Sequence, residues 1–259
     1  MISIKHISKT YTKGASKAVD DLSLDLEDGF IYGILGPNGA GKTTCLKMIT
    51  GILKPDEGDV WLNGYSITKN ALEAKREFAF VPDEPNAFLR LTGLEYLSFV
   101  CDVYEVAEEV RLQRVQDLSE TFEMEDALGQ RLDAYSHGMR QKIFLIGALV
   151  HNPAIWILDE PMTGLDPKAS FTLKQMMRRH ADEGNLVLFS THVLDVAEKI
   201  CDRIVIIDRG KMIFSGTIAD MHKLFAGDRS LETMFLELTE ENHPNATPDA
   251  LASSTENRR

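Results

Sequence analysis

The chain opens on two short alternating stretches. Ile2-Ser3-Ile4-Lys5-His6-Ile7-Ser8-Lys9-Thr10-Tyr11 begins with apolar and polar residues taking turns, the pattern of a strand with one buried face. Val19-Asp20-Asp21-Leu22-Ser23-Leu24-Asp25-Leu26 repeats it and stops at Glu27-Asp28-Gly29, a turn composition. Phe30-Ile31-Tyr32-Gly33-Ile34-Leu35 is apolar without alternation and predicts a buried strand. Gly58-Asp59-Val60-Trp61-Leu62 predicts a further strand, ended by the turn signal Asn63-Gly64. Phe78-Ala79-Phe80-Val81 predicts another buried strand, stopped by Pro82.

The period then changes. Gly93-Leu94-Glu95-Tyr96-Leu97-Ser98-Phe99-Val100 places apolar residues three and four apart, as a helix does. Residues 106 to 122 do the same with more charge, and Glu108, Glu109, Arg111 and Arg114 read as a solvated face. The strand pattern returns at Ala154-Ile155-Trp156-Ile157-Leu158-Asp159-Glu160. A helix over 167–180, a strand over 186–190, a helix over 193–200 and a strand over 204–207 follow, then an edge strand over 211–216. A short helical end runs to residue 238. Alternating strands and helices imply an α/β protein with a mostly parallel, helix-covered sheet. The helical stretch, about residues 90–150, reads as a subdomain inserted into that core. The domain is expected over 1–238, with 239–259 a polar, disordered tail. There is no internal repeat.

Composition narrows the choice of partners. At 259 residues the chain can bury a large core. A formal net charge of −12 and a pI near 5.1 speak against a nucleic-acid-binding surface, which shows as a basic patch. Cys45, Cys101 and Cys201 are widely spaced with no paired-thiol motif, as expected of reduced thiols in a cytosolic protein. The start reads as a strand and not as a secretion signal. The longest apolar run, residues 143 to 150, falls far short of the ~20 residues that span a bilayer, so membrane association is expected to come through a partner. His6, His151, His180, His222 and His243 have no metal-ligand spacing and read as surface or packing residues.

Two stretches carry chemistry. Gly36-Pro37-Asn38-Gly39-Ala40-Gly41-Lys42-Thr43-Thr44 lies between the buried strand and Cys45-Leu46-Lys47-Met48-Ile49-Thr50, which reads as a helix ending at Gly51. Strand, glycine-rich turn and helix are the context in which Gly-x-x-x-x-Gly-Lys-Thr cradles phosphates. The glycines let backbone N–H groups converge on an anion, and the helix start adds partial positive charge. Lys42 is expected to reach the β- and γ-phosphates and the Thr43 hydroxyl to ligate Mg²⁺. The second stretch, residues 155 to 160, delivers two carboxylates at the C-terminal end of a strand, where open α/β sheets bind ligands. Asp159 suits Mg²⁺ and Glu160 suits polarisation of an attacking water.

Further segments give the chain a family resemblance, running from about residue 2 to 238. Ser136-His137-Gly138-Met139-Arg140-Gln141 stands where the ATP-binding subunits of ABC transporters carry Leu-Ser-Gly-Gly-Gln, followed by an apolar helix over 143–150. Thr163-Gly164-Leu165-Asp166-Pro167 resembles their D-loop, and Ser190-Thr191-His192 their switch histidine. Tyr11 stands where the family stacks an aromatic ring on adenine. Read alone, Tyr11 is an edge-strand aromatic, and Asp166-Pro167 a helix cap with proline at the first helical position.

The resemblance implies a P-loop NTPase core with an N-terminal antiparallel β subdomain and the inserted helical one. It implies ATP and Mg²⁺ as cofactors, with Lys42, Glu160 and His192 catalytic. Tyr11 and the loop Gly36, Pro37, Asn38, Gly39, Ala40, Gly41, Lys42, Thr43 and Thr44 would hold the nucleotide. Ser136, His137, Gly138 and Met139 would touch the ATP of a partner subunit, so a homodimer or heterodimer would form two composite sites. A separate transmembrane permease would be the other partner, with the chain at the cytoplasmic face of the membrane and no nucleic acid involved. The form Tyr135-Ser136-x-Gly138-Met139-Arg140-Gln141-Lys142 and the short helical end are similar to ABC-2 type exporters. A regulatory or non-transport ABC ATPase is the alternative. The chain departs from the pattern at His137, which replaces a glycine, at Met139, and at Asp83, which stands where the family has a glutamine near Mg²⁺. Asp83 could also approach the metal, but adds like-charge repulsion beside Asp159 and Glu160.

Overall fold

The computed structural model describes residues 1–12, 16–84, 86–225 and 229–241. The N-terminal strands are β1 (Ile2–Lys9), β2 (Val19–Leu26) and β3 (Ile31–Leu35), followed by helix α1 (Lys42–Ile49). Then come β4 (Glu57–Leu62), β5 (Tyr65–Ser66), α2 (Ala71–Arg76) and β6 (Phe78–Val81). Three helices follow, α3 (Gly93–Val103), α4 (Glu108–Phe122) and α5 (His137–Leu149), and no strand lies among the described residues of that stretch. The remainder is β7 (Ile155–Asp159), α6 (Pro167–Asp182), β8 (Leu186–Thr191), α7 (Leu194–Ile200), β9 (Arg203–Asp208), β10 (Lys211–Gly216), α8 (Ile218–Leu224) and α9 (Leu231–Glu241).

Two sheets result. A six-stranded sheet has the order β10-β9-β3-β8-β7-β6, parallel except for the edge strand β10. A four-stranded antiparallel sheet has the order β2-β1-β4-β5. Every residue of β3 and β7 is buried, as strands covered by other layers on both faces must be. Their side chains alternate between two cores. Ile155 and Ile157 join the core shared with α1 and the antiparallel sheet, whereas Trp156 and Leu158 join the core shared with α5 and α6. A smaller third core packs α7, α8 and α9 on Leu35, Ile204 and Ile206.

The structure adjusts the sequence reading in several places. The alternation of β1 breaks at His6, where φ is +51°, and the register shifts between Ile4 and Ile7. That bulge lets Ile4 and Ile7 both turn inward although they are three apart. Helix α1 starts at Lys42, three residues ahead of the apolar run that predicts it, because the loop ends directly in the first helical turn. Helix α2 buries only Ala74 and carries no apolar stripe for a sequence to show. Helix α9 runs to Glu241, so residues 239–241 are helical and not tail; Thr239 is buried and its hydroxyl donates to the Phe235 carbonyl at 3.0 Å. The rest of the expected tail lies outside the described residues.

Candidate nucleotide site

The C-terminal ends of β3, β7 and β8 bring the polar groups to one edge of the parallel sheet, the position where such sheets bind ligands. After β3 the chain turns through residues 36–41 into α1. Gly41 has φ +109°, and a Cβ there would lie 2.3 Å from the Ala18 carbonyl oxygen, so only glycine serves. No side chain caps α1, which leaves its first N–H groups free for an anion. Lys42 is buried, and its Nζ donates to the carbonyls of Gly36 at 2.7 Å and Pro37 at 3.2 Å. Burial pulls its ammonium pKa down, while the carboxylates of Glu160 and Asp159 oppose the shift. The Tyr11 hydroxyl lies 3.1 Å from Thr44 Oγ1 at the rim.

The acidic wall of the site is organised by Ser190. Asp159 is 2% exposed, and its Oδ1 accepts from Ser190 Oγ at 2.5 Å. The same hydroxyl accepts the Glu160 backbone N–H at 3.0 Å. Glu160 has φ +47°, a conformation rare for a residue with a side chain, and its Oε1 lies 2.9 Å from His192 Nδ1. Asp83 faces the same wall. Burial, then the charges of Asp159 and Glu160, raise its carboxyl pKa, so the like-charge repulsion expected at this position is present. Tyr11, residues 38–44, Asp83 and Glu160 enclose an open cleft of 340 Å³.

A second group stands at the starts of α5 and α6. Ser136 caps α5, its Oγ accepting the Met139 N–H at 3.2 Å. Asp166 caps α6, its Oδ1 accepting the Ala169 N–H at 2.8 Å. The two helix starts come together at Gly164, which has φ +78°. A Cβ on Gly164 would meet His137 Cδ2 at 2.3 Å, and one on Gly138 would meet the Gly164 oxygen at 2.5 Å.

A family model described as ABC transporter matches residues 19–163, more than half of the chain. The chain belongs to the ABC transporter family. This ABC ATPase is 33% identical over 243 residues to the ABC-type transporter ATP-binding protein EcsA of Bacillus subtilis (strain 168), covering 93% of this chain and 98% of that protein. It is 34% identical over 206 residues to the daunorubicin/doxorubicin resistance ATP-binding protein DrrA of Streptomyces peucetius, covering 80% of this chain and 62% of that one. Among solved structures it superposes, with a TM-score of 0.76 and 26% identity, on the dimeric, post-hydrolysis state of the ATP-binding cassette MJ0796 bound to ADP and Pi. That match covers 84% of this chain and 99% of the cassette. The chain is thus an ATP-binding, ATP-hydrolysing subunit of an ABC transporter.

Of the residues that the sequence of the ABC ATPase singles out, the structure gathers Tyr11, the loop with Lys42, Thr43 and Thr44, Asp83, Asp159, Glu160 and His192 at one cleft. Ser136, His137, Gly138, Met139 and Asp166 form the second group, at the starts of α5 and α6, and are not among the residues that line the cleft. The sequence names Ser190 only as part of the segment Ser190-Thr191-His192 and misses its contacts with Asp159 and Glu160. Its signal is a serine ending the apolar strand 186–189, fully buried with its hydroxyl shared by both carboxylate residues.

Proposed function

We propose that two copies of this ABC ATPase close over two ATP molecules and so power export through a separate membrane subunit at the cytoplasmic face. The observation that carries the reading is the pair of strand-end carboxylates, Asp159 and Glu160, held by Ser190 and His192 across from an uncapped helix start. Lys42 leaves its own loop carbonyls for the β- and γ-phosphate oxygens, a better partner for an ammonium in a partly buried site. Thr43, Asp159 and Asp83 offer only hard oxygen donors, which suits Mg²⁺. When bound, Mg²⁺ would draw charge from the phosphate oxygens.

Glu160 is the general base. Its carboxylate accepts the proton of the attacking water as the oxygen–phosphorus bond forms, and the leaving ADP takes the electron pair of the cleaved bond. His192 holds the carboxylate in place and faces the γ-phosphate. Tyr11 stacks on the adenine. The Ser136 end of one copy, with His137, Gly138 and Met139 behind it, faces the ATP in the cleft of the other, and Asp166 lines the seam between copies. This completes each site from two chains. Beside the Asp83 segment, the rings of Phe88 and Phe99 lie 5.3 Å apart and half-exposed, an apolar patch suited to a segment of the membrane subunit. No helix among the described residues is long and apolar enough to cross a membrane. Export as the direction rests on the residue pattern 135–142 and the likeness to a drug-resistance ATP-binding protein.

The test is Glu160→Gln. Turnover should fall by on the order of 10²- to 10⁴-fold while ATP remains bound. The ATP-loaded variant should migrate as a dimer in size-exclusion chromatography. Hydrolysis at the normal rate would remove Glu160 as the base, and a lone ATP-loaded protomer would remove the paired sites.

A further inference from the structure

We infer that Gly210, in the turn between β9 and β10, is a positioning residue for ATP binding that locks the adenine end of the cleft to its phosphate end. The inference rests on the reading of the cleft as the ATP site and adds to it a part that lies outside the cleft. The turn has two residues, since Asp208 pairs with Lys211, and both carry positive φ, +48° at Arg209 and +79° at Gly210. That is type I′ hairpin geometry. Backbone groups at the tip of a surface turn ordinarily face water. Here both polar groups of Gly210 bond to other segments. Its N–H donates to the Ala40 carbonyl of the phosphate loop at 2.8 Å, and its carbonyl accepts the Asp20 N–H of β2 at 2.8 Å.

The Asp20 bond matters because of what it holds. Strand β2 is entered through Ala18, and Ala18 and Tyr11 line the cleft from the connection between β1 and β2. The Ala18 N–H donates to the Lys9 carbonyl at 2.7 Å, which closes that connection at its base. The Ala18 carbonyl is wedged between two glycines. A Cβ on Gly41 would lie 2.3 Å from its oxygen, and one on Gly210 would lie 2.9 Å from it and from the Lys17 oxygen. The end of β9 seats the loop at a further point, where a Cβ on Gly36 would meet the Ile207 oxygen at 2.3 Å. Segments 17–20, 36–41 and 207–210, remote in sequence, thus meet backbone to backbone. Such contacts leave no side-chain torsion to give way, so the Tyr11 end and the phosphate end keep one spacing. ATP touches both ends, and a frame that fixes their spacing beforehand avoids the affinity lost when a site must be ordered on binding. Lys17 and Lys211 add ion pairs to the Asp20 carboxylate at 2.9 and 3.5 Å, too exposed to contribute much.

The experiment measures equilibrium binding of MgATP, and of inorganic tripolyphosphate, which fills only the phosphate end, to the full chain. Gly210→Ala forces a Cβ against the Ala18 and Lys17 oxygens and prises the turn away. ATP affinity should fall by on the order of tenfold, while tripolyphosphate affinity changes by less than about threefold. Gly64→Ala is the matched control. Gly64 has φ +88° in the turn before β5, so alanine strains its backbone in the same way, but nothing lies within 4 Å of the added Cβ. It should leave both affinities unchanged. A second measurement needs no variant: ATP should slow hydrogen exchange at the Gly210 and Asp20 amides, since a clasp that favours ATP is favoured by it. Four results would overturn the inference: unchanged ATP affinity in a folded Gly210→Ala, an equal loss for both ligands, an equal loss in Gly64→Ala, or exchange at these amides that ATP does not slow. Lys42→Ala separates this failure from that of the cleft reading. If Lys42→Ala binds both ligands as wild type does, the loop is not the phosphate site and the inference falls with it. If only Gly210→Ala behaves as wild type, the cleft stands and the inference alone falls.

Discussion

The helix starts of α1 and α5, which the proposed function sets against the phosphates of ATP, are built in opposite ways. Helix α1 begins at Gly41, with no side chain over its first turn and a buried lysine at its first position. Helix α5 begins at Ser136, whose hydroxyl already accepts the Met139 N–H of its own first turn. The first end has the geometry of an anion site, shaped by a turn that tolerates no side chain at Gly41. The second end has one of its first N–H groups already bonded within its own chain, and under the proposed pairing it meets phosphate only when another copy presents it. An ATPase of paired subunits needs both kinds: one end that binds ATP alone, and one that contributes only on closure.

Two changes would break or sharpen this contrast, and a third tests the core beneath it. The largest effect is expected at α1. Lys42→Ala removes charge-assisted hydrogen bonds worth roughly 1.5–3 kcal/mol, so ATP affinity in the isolated monomer should fall by roughly ten- to a hundredfold. Equilibrium binding of a fluorescent ATP analogue measures it, and unchanged affinity would mean that the open end of α1 is not the phosphate site. At α5 the effect should appear only on pairing. Ser136→Asp keeps a good cap but sets a carboxylate against the incoming phosphate. Monomer affinity and melting temperature should stay as in wild type, while hydrolysis falls by on the order of tenfold and the ATP-driven dimer is lost. Loss of monomer affinity in this variant would erase the distinction between the two ends.

The smallest effect concerns neither end. His180 is 4% exposed and stacked on Trp156 at 4.1 Å, and burial pushes its pKa down to about 4 from an ordinary 6.5. The unfolded chain therefore binds this proton at higher pH than the folded one, and stability must fall as pH drops from about 6.5 to about 4. His180→Phe should flatten that fall by on the order of 1–2 kcal/mol in denaturant titrations at pH 7 and pH 4.5. ATP affinity at neutral pH should not change. An equally steep fall in the variant would show that other groups carry the acid sensitivity.

Particular elements show why part of the molecule is legible from sequence. Strands β3 and β7 are continuous apolar runs because both faces are covered, and each ends in the residues that do chemistry. Local pattern therefore gives their place and direction. Helix α2 escapes because one buried alanine makes no stripe, and the bulge at His6 escapes because it matters only through the register against β2. Ser190 and Lys142 escape for a further reason: each acts on a residue far away in the chain, Asp159 and Asp166, respectively.

The sequence by itself determined the main alternation of core strands and helices, the phosphate loop, the two carboxylates and the family, since each is written in contiguous residues with its own period or spacing. Only the tertiary structure decided that Lys42 rests on its loop carbonyls, that Ser190 serves Asp159 and Glu160 together, and that Lys142 ties α5 to α6. Those arrangements depend on short-range forces between side chains brought together by strand pairing and helix packing. Hydrogen bonds and buried ion pairs act over a few ångströms of space, and no spacing along the chain encodes that distance.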